Sequence, residues 1–217
     1  MLRDVASFAQ IQHGELIPHL LGMLAARAGS QTVISDLAKE LQLNHVTVRN
    51  YLRYLDTVFL TGRVPPWSTN LNAKLVKTPK AFPTDTGLAA HLLQADPDAL
   101  AAPGHPTTGI LVETFVYAEL TRLLAASDLG ATMYFYRDRD GREIDFLLER
   151  RNGQVVAIEV KATSTVRPED FRHLRWLADQ LGDRFTGGYV LHLGNQTHPF
   201  GDRMMALPLS TMWYHTQ

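Results

Sequence analysis

The chain of 217 residues can hold one large domain or two small ones, and its 45% hydrophobic and 20% charged content is that of an ordinary globular protein. It contains no cysteine, which excludes disulfides and thiolate metal sites and fits a reducing compartment. No apolar run approaches the ~18 residues that span a bilayer. The opening Met-Leu-Arg-Asp-Val-Ala-Ser-Phe also lacks the basic-then-apolar layout of a secretory signal. The expectation is a cytoplasmic protein with no membrane partner.

The formal net charge of −1 hides an asymmetry: residues 1–80 hold nine Lys/Arg and five Asp/Glu, residues 81–217 twelve and seventeen. Within 44–80, Arg49, Arg53, Arg63, Lys74, Lys77 and Lys80 stand against a single acid, Asp56. Such clustering favours a polyanionic partner through phosphate contacts and counterion release, and a solvated basic face is the alternative.

From Ile11 to Ala28 the stripe Leu16, Leu20, Leu24, Ala28 has helical periodicity, and Gly29 stops it. Ser35 is the expected N-cap of a second helix running to Leu41, and Asn44 that of a third. In the third, Val48, Leu52 and Leu55 are placed inward and Thr47, Arg49, Asn50 and Arg53 outward. Two short helices around a tight turn, the second bearing basic residues, point to a helix-turn-helix. Strand candidates at 58–64 and near Lys80-Ala81-Phe82 then make the wing of a winged helix, with a Pro/Asn/Ser-rich excursion from Trp67 to Thr78 between them. Such units contact DNA, or serve only as packing or protein-interaction modules. A short helix is expected over 86–93, and the Pro/Gly/Ala-rich stretch 95–108 is the expected domain boundary.

The second half is more regular. An amphipathic helix is expected over 110–126, strands over 132–137, 143–148 and 155–161, a helix from Pro168 to Leu181 and a last strand over 188–193. Asp138 and Asp140 are expected as turn residues, with Asp140-Gly141 a favoured hairpin dipeptide. The resulting order is α-β-β-β-α-β.

Along 155–161, Glu159 and Lys161 emerge on one face while Val156, Ile158 and Val160 point the other way, into the core. In the preceding strand Asp145 shares a face with Leu147, opposite Ile144, Phe146 and Leu148, and the hairpin lets Asp145 approach Glu159. Paired carboxylates in a partly buried place are costly unless a cation offsets them, and an oxygen-only donor set selects Mg2+ or Mn2+. Glu-x-Lys alone is a common surface salt-bridge pattern; with Asp145 ahead of it and this element order, it becomes the signature of a PD-(D/E)xK nuclease-type core. The expected catalytic set is Glu113, Asp145, Glu159 and Lys161, with Asp145, Glu159 and Glu113 as metal ligands. Glu113 is preferred over Glu119 because it lies near its helix start. The expected DNA-binding residues are Thr47, Arg49, Asn50 and Arg53. His192 and His198 are expected to be structural or exposed, and no P-loop pattern occurs.

Several stretches together resemble one family: Leu41 through Leu55, Pro65 to Asn70, Lys80 through Leu93 with Asp85-Thr86-Gly87-Leu88, Glu113-Thr-Phe-Val, and Tyr136 to Asp145 with Glu159-Val-Lys-Ala162. They look like the C-terminal region of prokaryotic AAA-type ATPases that end in a winged helix and a nuclease-like domain of unknown function. The resemblance implies an α/β (α+β) protein with a winged helix-turn-helix domain over 1–95 and a PD-(D/E)xK domain over 96–217. It also implies an ATPase domain as partner in a longer form of the protein, since this chain lacks that part. The resemblance carries the acid-lysine roles onto Asp145, Glu159 and Lys161, with Glu113 as the helical acid. One departure from the wider nuclease signature is Ile144, where proline often precedes the motif aspartate.

Two functions follow as expectations. One is a metal-dependent DNA nuclease with the winged helix as its duplex-binding arm. The other is a catalytically silent DNA- or protein-binding accessory module of such an ATPase. A transcriptional regulator would use the helix-turn-helix and leave the second half without a role.

Overall fold

The computed structural model describes residues 14–67, 78–102 and 104–213. The expected start of the first helix at residue 11, most of the excursion 67–78, and Lys74 and Lys77 lie outside them. The fold is mixed α/β, with a six-stranded sheet and seven helices among the described residues. None of these helices is long and apolar enough to cross a membrane.

Helices α1 (Ile17–Ala26), α2 (Ile34–Leu41) and α3 (His45–Thr57) pack around Leu20, Leu24, Leu37, Leu41, Val48, Leu52 and Leu55. The inward positions on α3 are as expected, because an i, i+4, i+7 stripe faces a single neighbour. Asn44 caps α3 by accepting from Thr47 N at 2.8 Å. Ser35 is not the cap of α2: the helix starts two residues earlier than expected, at Ile34, with Val33 extended at the cap position, and Ser35 lies in the first turn. Strands β1 (Thr61–Val64) and β2 (Lys80–Pro83) form an antiparallel ladder, Thr61 facing Pro83 and Val64 facing Lys80. Strand β1 is shorter than expected because Val58 to Leu60 turn, with Phe59 at φ +60°. Asp85 then caps α4 (Thr86–Leu92), and a short α5 (Pro97–Leu100) interrupts the stretch expected to be a plain connection.

Helix α6 (Pro106–Ala126) leads into β3 (Ala131–Arg137), β4 (Glu143–Arg150) and β5 (Val155–Lys161); α7 (Arg172–Leu181) connects β5 to β6 (Phe185–His192). Two strands not expected from the sequence, β7 (His198–Pro199) and β8 (Met204–Pro208), complete the sheet in the order β3-β4-β5-β6-β8-β7. β3, β4 and β5 are antiparallel neighbours, whereas β6 runs parallel to both β5 and β8.

Both faces of the sheet are covered. Leu174, Leu177 and Leu181 of α7 pack with Val155, Ala157, Val190 and Ala206, while Val116, Tyr117 and Leu120 of α6 pack with Phe135, Phe146, Ile158 and Leu191. Hence Val156, Ile158 and Val160 point into only one of two cores, and the continuous apolar run of β5 is the pattern of a strand covered on both sides. The α6-side core also takes in Val64 and Phe82 from β1 and β2, with Phe82 stacked on Tyr117 at 4.6 Å between ring centroids. Beyond β1 the chain bonds to the outer strand of the sheet: Phe135 N donates to Pro65 O at 3.1 Å and Trp67 N to Phe135 O at 2.7 Å.

The expected alternation along β4 breaks at Asp145. Ile144 packs with Leu147 on the α7 side, and Phe146 with Leu148 on the α6 side. The cause is a bulge: Tyr134 faces Leu147 but Tyr136 faces Ile144, so Asp145 and Phe146 together oppose the single residue Phe135. An extra residue re-aims the side chain beside it.

Candidate functional site

The last β4–β5 pair in the ladder towards the C-terminal end of β5 is Phe146 with Ile158, which leaves Asp145 next to Glu159 just past it. There the Asp145 side chain replaces the ladder: its Oδ2 accepts from Val160 N at 2.8 Å. Two residues along β5, Lys161 Nζ lies 2.9 Å from Glu159 Oε1. The other oxygen, Glu159 Oε2, is buried and has no hydrogen-bond partner. Three of the four expected catalytic residues are therefore brought to one place by β4 and β5.

Glu113 comes from the second turn of α6, where the chain makes room for it. Gly29, just beyond α1, has φ +78°, and a Cβ there would collide with the Glu113 carboxylate. Glu119, further along α6, instead pairs with Arg122 and accepts from Trp213 Nε1 at 3.0 Å. Of the two acids weighed on this helix, Glu113 is the one placed at the cluster.

The residue that sequence reasoning missed is Lys80. Its side chain is 1% exposed, and its Nζ lies 2.8 Å from Glu143 Oε1, 3.3 Å from Glu113 Oε1 and 3.7 Å from Asp145 Oδ1. The Phe135 ring lies beneath it at 5.3 Å. Lys80 therefore belongs to no exposed basic patch. The local signal was slight: a lysine in a short apolar strand, Lys-Ala-Phe-Pro, is anomalous unless paired. Glu143 is shared further, with Arg137 Nη1 at 3.1 Å from its Oε2.

Four carboxylates thus meet two buried or half-buried ammonium groups, and their titration follows. Burial, reinforced by the charge of Asp145, pushes Glu159 up to about 8, against the pull of Lys161. Burial and Asp145 push Glu113 up to about 7, although Lys80 opposes them. Asp145 is also raised, by burial, despite Lys80 and the Val160 N–H. Burial disfavours the charged form of Lys80, but Glu113, Asp145 and Glu143 overcome it and raise its pKa. Partial burial disfavours the charged form of Lys161 as well, and Glu159 and Asp145 overcome it and raise its pKa. Among the described residues no three His, Asp or Glu side chains are gathered in a ready-made metal cage. Lys80 engages both Glu113 and Asp145, whereas Glu159 keeps one buried oxygen without a partner and adjoins Asp145 across β4 and β5.

The expected DNA-binding residues lie apart from this cluster, on α3. Arg49, Asn50 and Arg53 are exposed, with Arg53 Nη2 donating to Asn50 Oδ1 at 3.1 Å, and Thr47 is half-buried rather than outward. Arg63 is tied to Asp56 at 2.7 Å. Of the six basic residues in 44–80, Arg49 and Arg53 are the described ones free of a carboxylate partner. Asp138 holds the β3–β4 turn by accepting from Asp140 N and Arg142 N, as expected of a turn acid. His192 is buried and accepts from Gly194 N through Nδ1, whereas His198 is exposed.

Residues 108–212 match a family described as a domain of unknown function (DUF4143), which occurs in the C-terminal region of AAA-ATPase-like proteins. Residues 1–99 match a second, described as a domain of unknown function (DUF8612). An uncharacterized protein of Mycobacterium bovis and one of Mycobacterium tuberculosis are each 32% identical over 187 residues, 86% of this chain. The chain spans 40% of the length of each of these relatives. No solved structure matches the chain at comparable stringency.

Proposed function

We propose that the chain is a metal-dependent DNA nuclease module of the PD-(D/E)xK type and forms the C-terminal part of an AAA-type ATPase. Phosphodiester hydrolysis occurs at the Asp145–Glu159–Lys161 site. Helices α2 and α3 with the β1–β2 ladder act as a winged-helix DNA-binding arm. The observation that carries the reading is the buried Oε2 of Glu159, which has no hydrogen-bond partner, on a carboxylate whose Oε1 lies 2.9 Å from the Lys161 ammonium. A buried oxygen without a partner is costly and marks a place for a missing group. The element order α6-β3-β4-β5-α7-β6 supports the same reading.

Asp145 and Glu159 would hold a magnesium or manganese ion, with water completing the shell. When bound, such an ion supplies charge neutralisation at the phosphodiester and a more acidic water. Lys161 aligns that water or stabilises the charge that develops on the phosphoryl oxygens in the transition state. Val160 N–H fixes Asp145 Oδ2, while Oδ1 lies 3.7 Å from Lys80 Nζ, so the carboxylate is held in place between the two. The test is nicking of supercoiled plasmid with magnesium or manganese, alongside calorimetric titration of the metal, for the parent and Asp145→Asn. Nicking and metal binding that disappear together in the variant support the reading. A parent that binds neither ion and cuts no DNA overturns it.

A second reading, a silent DNA- or protein-binding accessory module of an ATPase, is favoured by one observation. Lys80 already offsets part of the charge of Glu113 and Asp145 from within. A parent that binds duplex DNA with unchanged affinity in chelator, and never cleaves it, would select this reading.

A further inference from the structure

We propose that Lys80 is a built-in cation: its ammonium stands where a second divalent ion would otherwise sit, and restricts the site to one ion. This deepens the nuclease reading and rests on it only in taking Asp145 as a ligand of the first ion. Lys80 is carried by β2, outside the stretch 108–212 that supplies the carboxylates. It is fixed from both sides, paired with Val64 in the ladder and bridged to Gln31, next to Thr32 N donating to Pro79 O at 3.0 Å. A lysine so placed is 1% exposed and cannot swing out to water.

Its coordination resembles that of an ion. The ammonium has three protons and no lone pair, and three carboxylates from α6 and β4 surround it at 2.8, 3.3 and 3.7 Å. Two of these acids, Glu113 and Asp145, are ones a second cation would need. With Lys80 present they are held one ammonium apart. Without it, Glu113 and Asp145 face each other in a buried place beside the half-exposed Glu143, which keeps Arg137, and these hard oxygen donors suit magnesium or manganese once an ion draws them together. The residue is therefore a positioning residue: it keeps Glu113 from joining the Asp145–Glu159 pair as a ligand, and it makes the first part of the chain a structural component of the site.

The experiment counts ions. Full-length parent, Lys80→Met and Lys80→Arg are titrated with Mn2+ by calorimetry and by the loss of the free-ion paramagnetic resonance signal. Methionine keeps the length of the apolar stem and removes the ammonium, with its charge and its three donors. Lys80→Met should bind one more manganese ion than the parent, and its Tm should rise with Mn2+ by several degrees more than the parent's, because the ion replaces the missing ammonium. Lys80→Arg, which keeps the charge, should retain the parental count. If the parent binds no ion and Lys80→Met binds one, the nuclease reading fails while the role of Lys80 stands. An unchanged count in Lys80→Met overturns the inference, and so does a variant that stays unfolded even when refolded with manganese.

Discussion

The molecule carries charge in two contrasting ways. At the β4–β5 edge, Glu113, Asp145, Glu159, Lys80 and Lys161 come from four elements, are largely buried and constrain one another. On α3, Arg49 and Arg53 belong to one helix, lie in water and touch no carboxylate. A buried charge must be balanced by a specific neighbour, so its partners can be read from the structure. A solvated charge is already satisfied, and what it meets is decided by whatever arrives.

If that contrast holds, the largest effects belong to the buried set. On the nuclease reading Asp145→Ala removes a proposed ligand along with the acceptor of Val160 N–H, so metal binding and cleavage should both vanish, as read by calorimetry and plasmid nicking. Lys161→Ala should leave metal affinity close to the parent's while slowing cleavage by roughly two to three orders of magnitude, as when one charge-stabilising donor is removed. Parental cleavage in that variant would reduce Lys161 to a salt-bridge partner. In metal-free protein Lys80→Met should cost about 3–5 kcal/mol in denaturant unfolding, since it leaves buried carboxylates uncompensated. A cost below about 1 kcal/mol would mean that water reaches them.

Acidity sharpens the comparison further. In metal-free protein Glu159 stands at about 8 against an ordinary 4.5, so the folded state favours its neutral form. That contribution is complete below pH 4.5 and is lost as pH rises through about 8. Thermal unfolding should show the decline, and Glu159→Gln, which stays neutral, should flatten it. The smallest effect belongs to the solvated set. Arg49→Ala with Arg53→Ala should leave stability within about 0.5 kcal/mol, a typical change at exposed sites. The same pair should lower the slope of log affinity against log salt for duplex DNA by about one unit for each phosphate no longer neutralised. An unchanged slope would assign α3 to protein partners.

The legible and illegible parts divide along the same line. β5 is found at its predicted limits because its apolar run and Asn152-Gly153 turn are local facts. Asn44 is legible as a cap for the same reason, since its bond to Thr47 N spans one turn. Glu159 and Lys161 share a face by the two-residue period alone. The bulge at Asp145 is not local: it depends on how β3 pairs across the turn, and alternation assumes an unbroken pleat. Lys80 is hidden by a larger separation still, its partners being distant in sequence on α6 and β4. Strands β7 and β8 escaped because their two and five residues carry too short a pattern to distinguish from loop.

The strip Pro65 to Trp67 lies along β3, which is one margin of the six-stranded sheet. An open margin is a template on which a second chain can add a strand and begin aggregation. Here Phe135 spends both its N–H and its C=O on that strip, and Trp67 is anchored further by Nε1 donating to Glu149 Oε2 at 3.0 Å. The opposite margin is the two-residue β7, which ends in Pro199 and has one fewer donor to offer. Each side of the sheet therefore resists recruitment into fibrils by a different device, one a cover and the other brevity. Replacing Pro66 and Trp67 would uncover the longer of the two and leave the sheet prone to self-association.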